Sequence, residues 1–311
     1  MRFTRVLLIA GVAALLFGAG VFTGSRVYSG GSTSQKGYQH AYPLLAKRLF
    51  VENPNDPLIN FQNLRESLES YFSNNHLAGS LYFEYLPTGT SVRVDGDEKQ
   101  VAASLMKLPA AMDAFKAVEN GKVSLDKVIT LQDSWLDNGY GDLYKKGAGY
   151  QLTLRDAIKI MLGQSDNTAL KAVAFTTVNM VKPNDSVLNA VDVDLNQNPD
   201  LTVSIGARSY ASFLKCLYFT CYNNAKDSQT ILGYLADTPF KQRLAAGIAD
   251  KNLTLAHKIG VHSDTQSDCG IVYVPNRNYL LCVMLHGPDS DTTNHIITEV
   301  SKMTYDYVRT R

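Results

Sequence analysis

Three short polar motifs follow one another along the chain: Ser104-Leu-Met-Lys107, Ser165-Asp-Asn167 and Lys258-Ile-Gly260. A lysine three residues after a serine shares its helical face, one turn on. If that lysine is neutral, it can take the proton of the serine hydroxyl and turn it into a nucleophile. Neutrality requires burial or a second cation close by, and Lys258 could be that cation. A helix opening at Ser104 would add its positive end and unpaired N–H groups. The chemistry such a pair could perform is nucleophilic attack by the Ser104 oxygen.

Ser-x-x-Lys alone carries little weight. It recurs at Ser124–Lys127 and Ser212–Lys215, and short motifs match by chance. Ser104 follows the first hairpin and opens an apolar stretch, Leu105–Met112, with Pro109 near its first turns, where proline is tolerated. Ser165-Asp-Asn167 on its own reads as a helix cap, and Lys258-Ile-Gly260 as a strand end.

The elements that must hold these residues are legible from periodicity. Leu64, Leu68, Tyr71 and Phe72 share a helical face within residues 57–75. Residues 79–85 and 91–94, joined by Pro87-Thr-Gly89, read as a hairpin. Residues 100–220 read mostly helical, with one helix from Ser104, one over 152–162 capped by Thr153, and one over 207–218. Residues 183–204 are rich in Asn, Asp and Pro and read as a long loop. Strands follow at 254–258, 269–274 and 279–285, the last two joined by Pro275–Asn278, and a helix covers 293–308. Strands at both chain ends around a helical middle predict an α+β fold. Its form is an αβα sandwich with a mostly antiparallel five-stranded sheet built from both ends and an inserted all-helical lobe.

The chain has 311 residues, with 30 Lys and Arg against 29 Asp and Glu. That balance gives no footprint for a nucleic-acid partner. Arg2 and Arg5 precede an uncharged apolar run, Val6–Phe22. Residues 1–24 therefore read as a transmembrane anchor or a cleaved signal peptide, either placing the remainder outside the cytoplasm. Residues 25–45 read as a flexible Ser/Gly tether, and 46–311 as one globular domain, expected to be monomeric. Cys216, Cys221, Cys269 and Cys282 have no metal-ligand spacing and read as small buried hydrophobes, although disulfides are allowed outside the cell. His257 and His262 flank the third motif without a ligand cluster, so no metal or cofactor is expected. Trp135 reads as a packing aromatic, and Tyr140 and Tyr144, which precede the second motif, as surface or packing tyrosines, with the rim of a cleft as the alternative.

In this order, the three motifs resemble the Ser-x-x-Lys, Ser-Asp-Asn and Lys-Thr-Gly signature of class A β-lactamases and penicillin-binding proteins. The stretches Leu152–Ala169 and Leu255–Val272 strengthen the resemblance, which covers about residues 60–310. It implies that Ser104 is acylated, with Lys107 as base and Ser165 relaying a proton to the leaving nitrogen beside Lys258. Asn167 would bind the substrate amide and Lys107, while Asp166 would hold the turn. The N–H groups of Ser104 and Val261 would form an oxyanion hole, each donor worth ~3 kcal/mol. Gly260 and Ser263 would line the substrate site. The implied activity is β-lactam hydrolysis. The alternatives are a D,D-peptidase acting on cell-wall peptides and an inactive peptidoglycan-binding relative.

Two positions depart from the family pattern. Ile259 replaces a hydroxyl residue that helps bind a substrate carboxylate. Asp192-Val-Asp-Leu-Asn196 stands where the family's β-lactamases carry Glu-x-Glu-Leu-Asn, so Asp192 is the candidate for activating the deacylating water, against the plainer and preferred reading of a solvated acidic surface loop. Its carboxylate is one methylene shorter, and a misplacement of ~1 Å can cost 10²-fold in rate.

Overall fold

Leu81, Phe83 and Tyr85 alternate with Ser80, Tyr82 and Glu84, yet every position of this strand is buried. A strand covered on both faces belongs inside a layered sheet. In a computed structural model of the chain, residues 61–199 and 202–310, and the pair 43–44, are described. The apolar run Val6–Phe22 and most of the tether lie outside them. Among the described residues no helix is long and apolar enough to cross a membrane.

Helix α1 (Gln62–Asn74) leads into strands β1 (Gly79–Tyr85), β2 (Thr90–Val94) and β3 (Lys99–Val101). A 3-10 turn, Ala103–Met106, then runs directly into α2 (Lys107–Glu119). Next come β4 (Val128–Thr130), β5 (Gln151–Thr153), α3 (Leu154–Gly163) and α4 (Asn167–Thr177). Strands β6 (Asn196–Gln197) and β7 (Val203–Gly206) precede α5 (Ala207–Phe219) and α6 (Ala225–Ala236). Strands β8 (Leu255–Val261), β9 (Thr265–Val272) and β10 (Tyr279–His286) and helix α7 (Asp291–Arg309) follow.

The main sheet has the order β2-β1-β10-β9-β8, and every neighbouring pair is antiparallel. Both chain ends thus build one sheet, as the sequence predicts. Leu64, Leu68 and Phe72 of α1 and Ile297, Val300 and Val308 of α7 form one core with Leu81, Phe83, Leu281 and Val283. Helix α5 packs against β1, β9 and β10 through the buried Tyr210, Phe213, Leu214 and Leu217. The result is the αβα sandwich.

Helix α2 is buried almost all round, at Leu108, Ala111, Met112, Ala114 and Phe115. A helix with no polar face belongs in the middle of a lobe, and α3, α4 and α6 pack around it. Thr153 caps α3, its Oγ1 accepting from Asp156 N at 3.1 Å. Truncating a fully buried ring such as Phe115 would cost about 3–5 kcal/mol, so the base of the site rests on a stiff rod.

Some elements differ from the sequence reading. The segment 183–204 contains a helical turn, Val187–Ala190, and a ribbon in which β7 pairs with β6 and β3. Backbone pairing there overrides a loop-like composition. Helix α6, started by the Asn224 cap on Asp227 N at 3.0 Å, is an element the periodicity reading passed over. The cysteines are paired: Cys216 with Cys221, and Cys269 with Cys282. The second pair joins directly opposed residues of β9 and β10. Register, which sequence alone does not specify, brings those sulfurs together.

Candidate active site

Ser104 lies in the 3-10 turn ahead of α2, and Ala103 before it has φ +46°, unusual for a residue with a Cβ. Lys107, one turn on, is 1% exposed. Its Nζ donates to Ser104 Oγ at 2.8 Å, to Asn167 Oδ1 at 2.7 Å and to Ser165 O at 2.5 Å. Burial holds this ammonium down to about 8 against the opposing pull of Asp166 and Asp137. A lysine so placed reaches the neutral state near physiological pH, which a general base requires.

Ser165 also has a positive φ, +58°, and its hydroxyl points at both lysines. Lys258 Nζ donates to Ser165 Oγ at 2.8 Å, and Lys107 Nζ stands 3.4 Å away. Lys258 is fully enclosed, and burial together with the charge of Lys107 pushes its ammonium well below the ordinary lysine range. The three motifs therefore meet in one hydrogen-bonded chain, Ser104–Lys107–Asn167 and Ser165–Lys258. Backbone strain persists only where surrounding structure enforces it, and it clusters at functional sites.

Asp166 holds the second motif in place. Its Oδ1 accepts from Ala169 N and its Oδ2 from Leu143 N, both at 2.8 Å, so it caps α4 and ties down the preceding loop. Gly141, at φ +88°, is required there, because a Cβ would fall 2.1 Å from Asp166 Oδ2. Asn167 Nδ2 donates to Asp137 Oδ1 at 3.2 Å, and Asp137 also meets Lys171 at 3.0 Å. The backbone N–H of Gly139 and then Lys171 keep the Asp137 carboxyl below its ordinary range. Asp137 thus fixes which end of the Asn167 amide faces Lys107. No sequence motif marks it.

Strand β8 forms the outer edge of the sheet beside the Ser104 turn. A Cβ on Gly260 would come within 3.0 Å of Ala102 O and of Leu105 Cγ, so glycine permits the close approach. His262 N bonds Thr265 O and Tyr273 N bonds Thr254 O. In antiparallel alternation this register turns the Val261 N–H away from β9, off the free edge. An amide so oriented is suited to receive a developing oxyanion.

A cleft of about 370 Å³ opens over these groups. Ser104, Ser165, Asn167, Val261 and Ser263 line it together with Ile259. So do Gly139, Tyr140, His262 and Asp289. Tyr140 is therefore a cleft residue, the alternative to its preferred reading as a surface or packing tyrosine. Its ring lies 6.3 Å from that of Phe240. Trp135 stacks on the exposed Phe175 at 5.6 Å. Both further Ser-x-x-Lys matches lie elsewhere: Ser124 is exposed, and Lys215 pairs with Glu84 at 3.1 Å.

Asp192 is not brought into the cleft. It is exposed, has φ +53°, and is absent from the cleft lining. No hydrogen bond joins it to Ser104, Lys107, Ser165 or Asn167. Asp192 closes the helical turn Val187–Ala190, its N–H bonded to Asn189 O at 3.2 Å, and lies at the surface there.

Residues 63–308 match the family model described as the beta-lactamase enzyme family. Among curated proteins none matches this chain. The solved structure of PBP-A is similar at a TM-score of 0.74 and 24% identity, covering 82% of this chain and 99% of that one. A variant of PBP-A, solved as its acyl-enzyme with penicillin G, is similar at the same TM-score and identity, with 82% and 100% coverage. A β-lactamase from Chitinophaga pinensis is similar at a TM-score of 0.70 and 20% identity, over 78% and 98% of the two chains. Identities this low speak for the fold alone, whereas the family match spans nearly the whole described domain. The chain belongs to the beta-lactamase enzyme family.

Proposed function

We propose that this protein is a serine hydrolase that opens β-lactam amide bonds through an acyl-enzyme on Ser104. The observation that carries the reading is Lys107 Nζ, 2.8 Å from Ser104 Oγ, with its ammonium held down to about 8. In the proposed sequence Lys107 accepts the Ser104 proton as Oγ bonds to the carbonyl carbon. The oxyanion rests on the N–H groups of Ser104 and Val261. As the C–N bond breaks, Ser165 delivers a proton to the nitrogen, and its hydroxyl is restored through the Lys107 and Lys258 ammonium groups. Water then releases the acyl group.

A second reading, a D,D-peptidase on cell-wall peptides with slow β-lactam turnover, is favoured by one observation. Asp192, the candidate for activating the deacylating water, is exposed and outside the cleft lining. Both readings share acylation and differ in the lifetime of the adduct. An extracytoplasmic location is supported by the two disulfides and by the apolar run after Arg2 and Arg5.

The test is incubation of the purified chain with benzylpenicillin, following adduct mass and product together. Steady product with a transient adduct supports the hydrolase. A lasting adduct on Ser104 supports the peptidase. No adduct at all sinks both.

A further inference from the structure

The helical lobe encloses most of its apolar side chains, but one group stays in solvent. Phe175 of α4 is 57% exposed, and Val178, which ends that helix one turn later, is 58% exposed. Phe175 stacks on Trp135, with ring centroids 5.6 Å apart and planes within 5° of parallel. The three side chains make an apolar patch on the outside of the lobe, and clustered apolar surface of this kind marks a contact site. Its surroundings are close to neutral. Lys171, one turn before Phe175, pairs with Asp137 at 3.0 Å, and Asp133 is exposed beside Trp135. No excess of cations is there to draw in a negative partner, so adhesion at this patch has to be apolar.

Size and chain length together select the occupant. A stable protein partner, or a second copy, needs about 800 Å² on each side. A fully covered aromatic side chain buries about 150–250 Å², so Trp135, Phe175 and Val178 together fall short. A bilayer needs no such area when the protein is already tied to it. The apolar run Val6–Phe22 follows Arg2 and Arg5, and only residues 23–60 separate it from Phe61 at the start of α1. A chain reaches at most about 3.5 Å per residue. A bilayer that takes up the run therefore stays within that reach of the patch, at a high effective concentration. Tryptophan is also the side chain that settles best at headgroup level. The patch adjoins the cleft: Asp137, two residues after Trp135, accepts from Asn167 Nδ2 at 3.2 Å, and Phe175 lies two turns, ~12 Å, along α4 from Asn167.

We propose that Trp135, Phe175 and Val178 form a membrane-docking patch. They insert at the headgroup level of the bilayer that takes up the N-terminal apolar run, and they hold the Ser104 cleft close to the lipid surface. Docking is independent of the acyl-serine chemistry and rests on the apolar run entering a bilayer.

Trp135 is the chain's one tryptophan, so indole emission reports this patch alone. The full chain is reconstituted into phosphatidylcholine vesicles with plain or brominated acyl chains, the bromine quenching indole on contact. Flotation of the same vesicles measures whether the chain is bound. Trp135 at the interface is expected to lose about half of its emission in the brominated vesicles. The Phe175→Ser, Val178→Ser double variant should float as the parent does yet show no more than about a third of that loss, because most of the inserting apolar surface is gone. Its own plain vesicles serve as reference, so a change in the stacking of Trp135 does not enter the ratio. High salt should leave the quenching unaltered, since no charge pair carries it. Parent protein that floats with equal emission in both vesicles overturns the proposal, as does parent protein that fails to float. Equal quenching in parent and double variant overturns it too. Adduct formation with benzylpenicillin, read by mass in the same samples, reports the acyl-serine reading separately.

Discussion

Lys107 Nζ reaches Ser104 Oγ across 2.8 Å, and one turn of helix is what sets that distance. Because Ser104, Lys107 and the apolar residues of α2 belong to one continuous stretch, the proposed nucleophile and its proposed base move as one body. Ser104→Ala is expected to abolish covalent labelling by penicillin. Ser124→Ala and Ser212→Ala should label as the parent does. Lys107→Ala should slow acylation by about 10²–10⁴-fold without altering the circular dichroism spectrum.

The acylation rate should climb with pH. In the proposed mechanism the neutral amine is the proton acceptor, so the rate should follow the neutral fraction of Lys107 and reach half its plateau near a pH of about 8. Roughly two units lower the rate falls about 100-fold, because about 1% of the lysine is then neutral. The sign for stability follows from the same shift. The folded-state pKa lies below the ordinary 10.5, so the unfolded chain binds more protons between the two values. Stability attributable to this lysine therefore rises with pH through that window. A rate profile flat from pH 6 to 9 would remove Lys107 from the role of base.

Asp192→Ala should leave the lifetime of the Ser104 adduct within about twofold of the parent, since an exposed carboxylate away from the cleft holds no water against the ester. Mass spectrometry of the decaying adduct measures this directly. A tenfold longer lifetime in the variant would restore Asp192 as the activating base.

Asp166→Ala should destabilise the domain by about 2–4 kcal/mol. The loss combines the helix cap on the Ala169 N–H with the second carboxylate bond, to the Leu143 N–H, both groups being left unpaired in a buried place. Urea unfolding gives the number. Gly141→Ala should act in the same direction, through contact with the same carboxylate.

Thiol titration of the denatured, unreduced protein should find no free cysteine, and reduction should release all four. Replacing Cys269 and Cys282 together by alanine should cost about 2–4 kcal/mol, with the sheet order retained. A four-thiol result before reduction would dissolve both pairs.

The sequence by itself determined which residues the proposed chemistry rests on and most of the architecture. Ser104 and Lys107 share a face because helical periodicity is local, and Thr153 caps α3 for the same reason. Alternating strands at both ends around a helical middle left few topologies besides the observed sandwich. The rest depended on chain segments that meet only in space. Asp137 orients Asn167 across 30 residues, and Arg243 and Asp289 meet across 46, and neither pairing leaves a local pattern to read. Cys269 faces Cys282 because of strand register. Asp192, which aligned by spelling with a catalytic position, ends at the surface where the helical turn Val187–Ala190 closes on it. Local periodicity decides which residues share an element; only the packed fold decides which elements share a cleft.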